Sequence, residues 1–97
     1  MASKFGEKIR SLREQKGLLL REVAPFLNID TPQLSKIERG ERSAKKELIE
    51  LLAHVLDVDA ETLLRIWLAD QMYNVIEGEL LAKEAIEELT NVFNESK

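Results

Sequence analysis

Residues 20–42, LREVAPFLNIDTPQLSKIERGER, decide how the chain is read. Val23, Ala24 and Leu27 repeat at helical spacing, and so do Leu34 and Ile37. Between them lies Asn28-Ile29-Asp30, too short for anything but a tight turn. Asn tolerates left-handed backbone better than most residues other than glycine. Ile29 is apolar within the turn and is expected to plug the space between two helices. Pro32 prefers the start of a helix and pushes Thr31 out of the α region. Thr31 is therefore the expected N-cap of the second helix, with Asp30 as the alternative. Gly40 is expected to end that helix. The stretch reads as helix, three-residue turn, helix, with Ala24 small where the two helices cross.

The flanks continue in helical periodicity, and period-2 alternation nowhere persists. A first helix is expected over Ser3–Gln15, capped by Ser3, with Phe5, Ile9 and Leu12 on one face. The second helix covers Leu20–Leu27, with Pro25 predicting a local distortion because it removes a backbone donor. A fourth covers Ala44–Leu56, and a fifth, with Asp59 as N-cap, Ala60–Ile76. A sixth covers Glu79–Phe93, after which the final NESK is expected to fray. The fold class is all-α.

Composition narrows the function. The chain has 97 residues, one domain's worth, with no cysteine and one histidine. Disulfides, catalytic thiols and thiolate metal sites are excluded, and a histidine metal cluster with them. His54 lies among apolar positions of the fourth helix and is expected to be a half-buried structural residue. No nucleophile–base pair or glycine-rich phosphate loop is evident, so no enzyme and no cofactor is expected. No apolar run reaches the roughly 18–20 residues of a membrane span. The opening MASKFGEKIRSLREQ lacks a signal peptide's apolar core, and a cytoplasmic location is expected.

The net charge of −4 hides a division. Residues 1–46 carry 11 basic and 6 acidic side chains, a net +5; residues 47–97 carry 3 and 12, a net −9. Such asymmetry points one half at a polyanion and the other half elsewhere.

The longer frame LREQKGLLLREVAPFLNIDTPQLSKIERGERSAKKELIELLAHVLDVDAETLL resembles the Cro and lambda-repressor-like (xenobiotic-response-element-like) helix-turn-helix family of bacterial and phage regulators. SKIERGER followed by ELIELLAHVLDVDAETLL is its most characteristic part, and the resemblance spans Phe5 to Leu64. It implies a compact five-helix DNA-binding domain over residues 1–64, with the helix-turn-helix at about 20–39. It also implies a homodimer on palindromic double-stranded DNA. The recognition helix would be Thr31–Arg39, with base contacts from Thr31, Pro32, Gln33, Ser35 and Lys36. The chemistry suits the task, since Gln can bridge an adenine edge and Lys can reach guanine O6 and N7. Arg42, Lys45 and Lys46 would grip phosphate, joined by Arg21 and Arg39. Arg13 and Glu38 match a pair that forms an internal salt bridge in the family.

Two departures stand out. Leu19-Leu20 replaces the Thr-Gln that often opens the family's second helix, removing the usual cap, and Pro25 is unusual there. Residues 65–97 form an extension, expected to be helical and packed on the domain. The fifth helix is apolar on two stripes, one with Leu64, Leu68, Met72 and Val75, the other with Leu63, Ile66, Trp67 and Tyr73. Two apolar faces need two partners. Leu63, Trp67 and Tyr73 are expected at a dimer interface, although the sixth helix is an alternative cover. Glu77, Glu79, Glu84, Glu87 and Glu88 should keep the extension away from phosphate. Comparable extensions occur on restriction–modification regulators and antitoxins, so binding of a partner protein through this half is the alternative reading.

Overall fold

The computed structural model describes residues 3–96. Its elements are α1 (Lys4–Gln15), α2 (Leu20–Val23) running into a 3-10 turn (Ala24–Leu27), α3 (Thr31–Glu38), α4 (Leu48–Leu56), α5 (Ala60–Ile76) and α6 (Ala82–Glu95). The described residues contain no strand.

Pro25 acts as its chemistry demands. Lacking an amide hydrogen, it cannot continue the α-helical ladder, and the second helix tightens to 3-10 geometry from Ala24. Asn28 then takes the left-handed conformation at φ 58°, and its amide donates to the carbonyls of Ala24 and Pro25. The lost Thr-Gln opening of α2 is partly made good by Glu22, whose carboxylate accepts the Leu19 amide at 2.8 Å.

Three boundaries differ from the expectation. Asp30, not Thr31, caps α3: its carboxylate accepts the Gln33 amide at 2.8 Å, while Thr31 is already helical. Helix α4 begins at Leu48, four residues after the expected start, because buried Ala44 is committed to a loop. Helix α6 begins at Ala82 rather than Glu79, since Gly78 at φ 79° breaks the chain direction. It then runs to Glu95, and the Ser96 hydroxyl donates back to the Val92 carbonyl at 2.9 Å. Lys97 lies outside the described residues.

The core gathers Phe5 and Ile9 of α1, Val23, Ala24 and Leu27 of the second helical segment, and Leu34 and Ile37 of α3. Ala44, Ile49, Leu52, Ala53 and Leu56 complete it with Leu63 of α5. Burying a large aliphatic side chain stabilises by about 1.5–3 kcal/mol, so this cluster is the main source of cohesion. It ends at Leu63: among the described residues, none after it is buried. Helix α6 has no buried residue, and the molecule measures 44 × 29 × 22 Å. The extension packs on the domain through the α5 part alone, where Trp67, Asp70 and Gln71 bond to Ala44, Phe5 and Ser43. The apolar stripe of α6 is only partly covered by α5.

Candidate nucleic-acid interface

Helix α3 is held from behind in three ways. Leu34 and Ile37 sit in the core at 1% and 2% exposure. Glu38, on the same face, is nearly buried and receives a forked pair of hydrogen bonds from Arg13, Nε to Oε2 at 2.7 Å and Nη2 to Oε1 at 3.0 Å. The remaining Arg13 nitrogen, Nη1, donates to the Leu18 carbonyl at 2.8 Å. This ties α1, the α1–α2 loop and α3 together. The hydrogen bond to Glu38 leads in raising the Arg13 pKa, opposed by desolvation, so the guanidinium stays charged. The third restraint is Gly6. A methyl group there would lie 2.5 Å from the Ile37 carbonyl oxygen and 2.6 Å from that of Glu38. Helix α1 thus approaches the backbone of α3 as closely as glycine permits.

The opposite face of α3 is polar. Lys36 and Pro32 are exposed, and Thr31, Gln33 and Ser35 are half-buried along its edges. Arg39 caps the C-terminus and is exposed, with Nε 2.9 Å from Glu41 Oε2. That surface pair contributes little and leaves the guanidinium open to exchange its partner. Arg42, Lys45 and Lys46 are exposed on the loop between α3 and α4, and Arg21 is exposed on α2. The α3 side chains thus stand on one helix face, with Arg42, Lys45 and Lys46 following in the adjoining loop.

Sequence reasoning missed what holds that loop. Trp67 of α5 donates from its indole nitrogen to the Ala44 carbonyl at 2.8 Å, and Gln71 donates to the Ser43 hydroxyl at 2.7 Å. Asp70, between them, accepts the Phe5 amide at 2.8 Å and the Ser3 hydroxyl, while Ser3 itself caps α1 through the Gly6 amide at 3.0 Å. Residues 63, 67 and 70 repeat at i, i+4 and i+7, so the signal was present: Asp70 falls on the stripe that begins with Leu63.

Of the three residues expected at an interface, Leu63 is the one the structure contradicts. Leu63 has 0% exposure and belongs to the core, leaving nothing for a partner to cover. Trp67 is half-buried, with its indole hydrogen already bonded inside the molecule. Tyr73 is 50% exposed. His54 is exposed on α4 rather than half-buried. Among the described residues no cluster of His, Cys, Asp or Glu could hold a metal ion, and no helix is long and apolar enough to cross a membrane.

A family model described as helix-turn-helix matches residues 9–63. The chain belongs to the helix-turn-helix family. It is 34% identical over 61 residues to the HTH-type transcriptional regulator DdrOP3 of Deinococcus deserti, covering 63% of this chain and 47% of that protein. Over 61 residues it is also 34% identical to the HTH-type transcriptional repressor RghR of Bacillus subtilis, covering 62% and 45%. The chain thus spans under half the length of these relatives. The crystal structure of the clp gene regulator ClgR from C. glutamicum superimposes with a TM-score of 0.57 at 31% identity, covering 67% of this chain and 84% of that one. The matched segment, 9–63, ends with the buried core.

Proposed function

We propose that the protein is a sequence-specific double-stranded DNA-binding transcriptional regulator that places α3 in the major groove. The observation that carries this reading is the division of α3: a buried, salt-bridged back and a polar front, within a helix-turn-helix. Thr31, Gln33, Ser35 and Lys36 read base edges, and Arg21, Arg39, Arg42, Lys45 and Lys46 contact phosphate. Glu47 and Glu50 already bring negative charge to the start of α4, so the grip falls on the basic loop rather than on that helix N-terminus. Arg13 and Glu38 position the reading helix and do not touch DNA. The protein acts as a homodimer on a palindromic operator, with half-sites about 34 Å apart and Tyr73 near the subunit contact. It works in the cytoplasm, with repression as the expected sense of regulation.

The test begins with selection of bound duplexes from a random pool, followed by anisotropy titrations at several salt concentrations. Affinity should fall with a log–log slope of about 0.9 per phosphate contacted. Lys36→Ala should weaken the selected operator by about 1–3 kcal/mol while leaving non-specific binding less affected. Binding insensitive to both salt and Lys36→Ala would sink the reading. The uncovered apolar surface of α5 and α6 supports one alternative, in which the extension binds a partner protein and DNA contact serves autoregulation. Recovery of a stoichiometric partner through residues 65–97, with a monomeric free chain, would favour it.

A further inference from the structure

Three elements meet behind the polar face of α3: the first turn of α1, the loop that follows α3, and the part of α5 beyond Leu63. They are not packed flush. A cavity of about 60 Å³ remains between them, and its walls include Phe5 and Ile37 together with the polar Ser43, Asp70 and Gln71. Where a seam is left unfilled, van der Waals contact does not fix the spacing of its walls, and the hydrogen bonds that join them do.

Two neighbouring residues of α5, both half-buried, make such bonds to different parts of the molecule. Asp70 accepts the Phe5 amide at 2.8 Å and the Ser3 hydroxyl, and Ser3 in turn accepts the Gly6 amide at 3.0 Å. A carboxylate also suits the positive end of the α1 dipole. Gly6 follows Phe5 directly and lies against the Ile37 and Glu38 carbonyls with no room for a methyl group. A continuous line of contacts therefore runs from Asp70 through the first turn of α1 to the back of α3. Gln71 instead donates to the Ser43 hydroxyl at 2.7 Å. Ser43 follows Arg42 and precedes Lys45 by two positions, so this bond ends in the basic loop. Ser3, Phe5, Asp70 and Gln71 all lie outside the matched segment 9–63, so the bracing comes from the flanks of the helix-turn-helix.

We propose that Asp70 and Gln71 are positioning residues for DNA recognition: Asp70 sets the base-reading face of α3 through α1, and Gln71 sets the phosphate-gripping loop through Ser43. This rests on the DNA-binding reading above and carries the recognising unit past Leu64 into α5. Neither side chain touches DNA in this scheme. The two ties are separable, because they leave α5 at adjacent residues toward different elements. They also differ in chemistry. Asp70 serves as an oxygen acceptor for two donors, whereas Gln71 serves as a donor to one hydroxyl.

The test uses the full-length chain, the duplex selected from the random pool and a scrambled duplex of the same length. Anisotropy titrations run at several salt concentrations, with circular dichroism confirming that each variant is folded. Asp70→Ala should lower affinity for the selected duplex about tenfold, the order of one lost base contact, while affinity for the scrambled duplex and the salt slope stay at the wild-type values. Asp70→Asn keeps an oxygen facing Ser3 and Phe5 and should hold affinity within about threefold of the wild type. Gln71→Met keeps a side chain of similar length without the donor; it should weaken both duplexes alike and lower the salt slope by about 1. A merely structural role would reduce the folded fraction, which lowers both affinities by one factor and leaves the slope alone. The affinity ratio and the slope therefore read position. An unchanged ratio in Asp70→Ala, or Asp70→Asn as weak as Asp70→Ala, overturns the Asp70 assignment; an unchanged slope in Gln71→Met overturns that of Gln71. In either case the DNA-binding reading stands. A wild type that prefers no duplex and shows no salt slope overturns that reading itself. Should Asp70→Ala fail to fold, Ser3→Ala removes one of the two donors to Asp70, and an unchanged ratio there overturns the Asp70 assignment.

Discussion

Helices α4 and α6 present the same kind of sequence, an apolar stripe recurring every three to four residues, and meet opposite fates. Helix α4 buries Ile49, Leu52, Ala53 and Leu56; α6 buries nothing. Helix α5 passes from one regime to the other within its own length, fully buried at Leu63 and 76% exposed at Val75. Amphipathicity therefore states that a face needs cover, not that the chain supplies it. The residues up to Leu63 supply it; beyond them α5 is engaged on the side of Trp67, Asp70 and Gln71, and α6 is left uncovered. The charge division falls earlier, after Lys46: the basic half displays the polar face of α3, and the acidic half holds both the buried face of α4 and the open apolar surface.

The contrast is broken most forcefully at the back of α3. Arg13→Ala would leave Glu38 nearly buried without its cation, which should destabilise by about 3–5 kcal/mol in urea unfolding. Arg13→Met with Glu38→Leu should recover most of that loss, because removing both charges removes the desolvation problem. The pH dependence has a clear sign. Because the Arg13 pKa is raised in the folded state, its contribution is fully present below the ordinary arginine value and is lost only as pH rises through the raised one. Across neutral pH Arg13 should therefore produce no step in stability. A loss below about 0.5 kcal/mol for Arg13→Ala would mean that α3 is held by its two aliphatics alone.

Gly6→Ala comes next. The new methyl group would meet two backbone carbonyls at 2.5 and 2.6 Å, and neither can swing aside as a side chain would. Overpacking of this kind costs about 1–3 kcal/mol. Because the displaced atoms belong to Ile37 and Glu38, operator affinity should fall as well, while circular dichroism retains the helical content. Unchanged operator affinity would show that α3 tolerates displacement by α1.

How much of this was legible in the sequence follows from the range of the interactions. The helix-turn-helix, the distortion at Pro25 and the paired Arg13 and Glu38 could be read, the first two from local chemistry and the third through family resemblance. Local rules failed where a distant residue decides. Ala44 looked helical by its neighbours, but its carbonyl takes the Trp67 indole hydrogen from 23 positions away. Gly6 carries no signal within its own helix, and its role shows only where α3 lies against it. Leu63 was expected at an interface because its place in the core is set by residues far off in the chain. Thr31 lost the cap to Asp30 by one residue, a margin that residue preference alone does not resolve.

Trp67→Phe tests the seam between the two regions. A smaller aromatic ring replaces the indole and the hydrogen bond to Ala44 is removed, so the Ala44 carbonyl loses a partner. Stability should fall by about 1 kcal/mol. The more telling readout is the salt slope of operator binding, because Ala44 adjoins Lys45 and Lys46. A loosened loop should lower the slope toward that of Lys45→Ala, which should drop by about 1. If the slope matches the wild type, the α5 anchor supports the fold without positioning the basic loop.

The smallest effect is expected at Leu80, and it is the most direct statement of the contrast. Leu80 and Leu63 are the same residue, one 97% exposed and the other 0%. Leu63→Ala belongs with core truncations that cost about 2–5 kcal/mol. Leu80→Ala should change the unfolding free energy by no more than about 0.5 kcal/mol, the range of ordinary surface substitutions. Unfolding measured over a range of protein concentrations gives the comparison a second use. A Leu80→Ala cost that grows with protein concentration would place Leu80 inside an association contact, because a dimer's apparent stability rises with protomer concentration. A cost near zero at every concentration would place Leu80 outside any association contact.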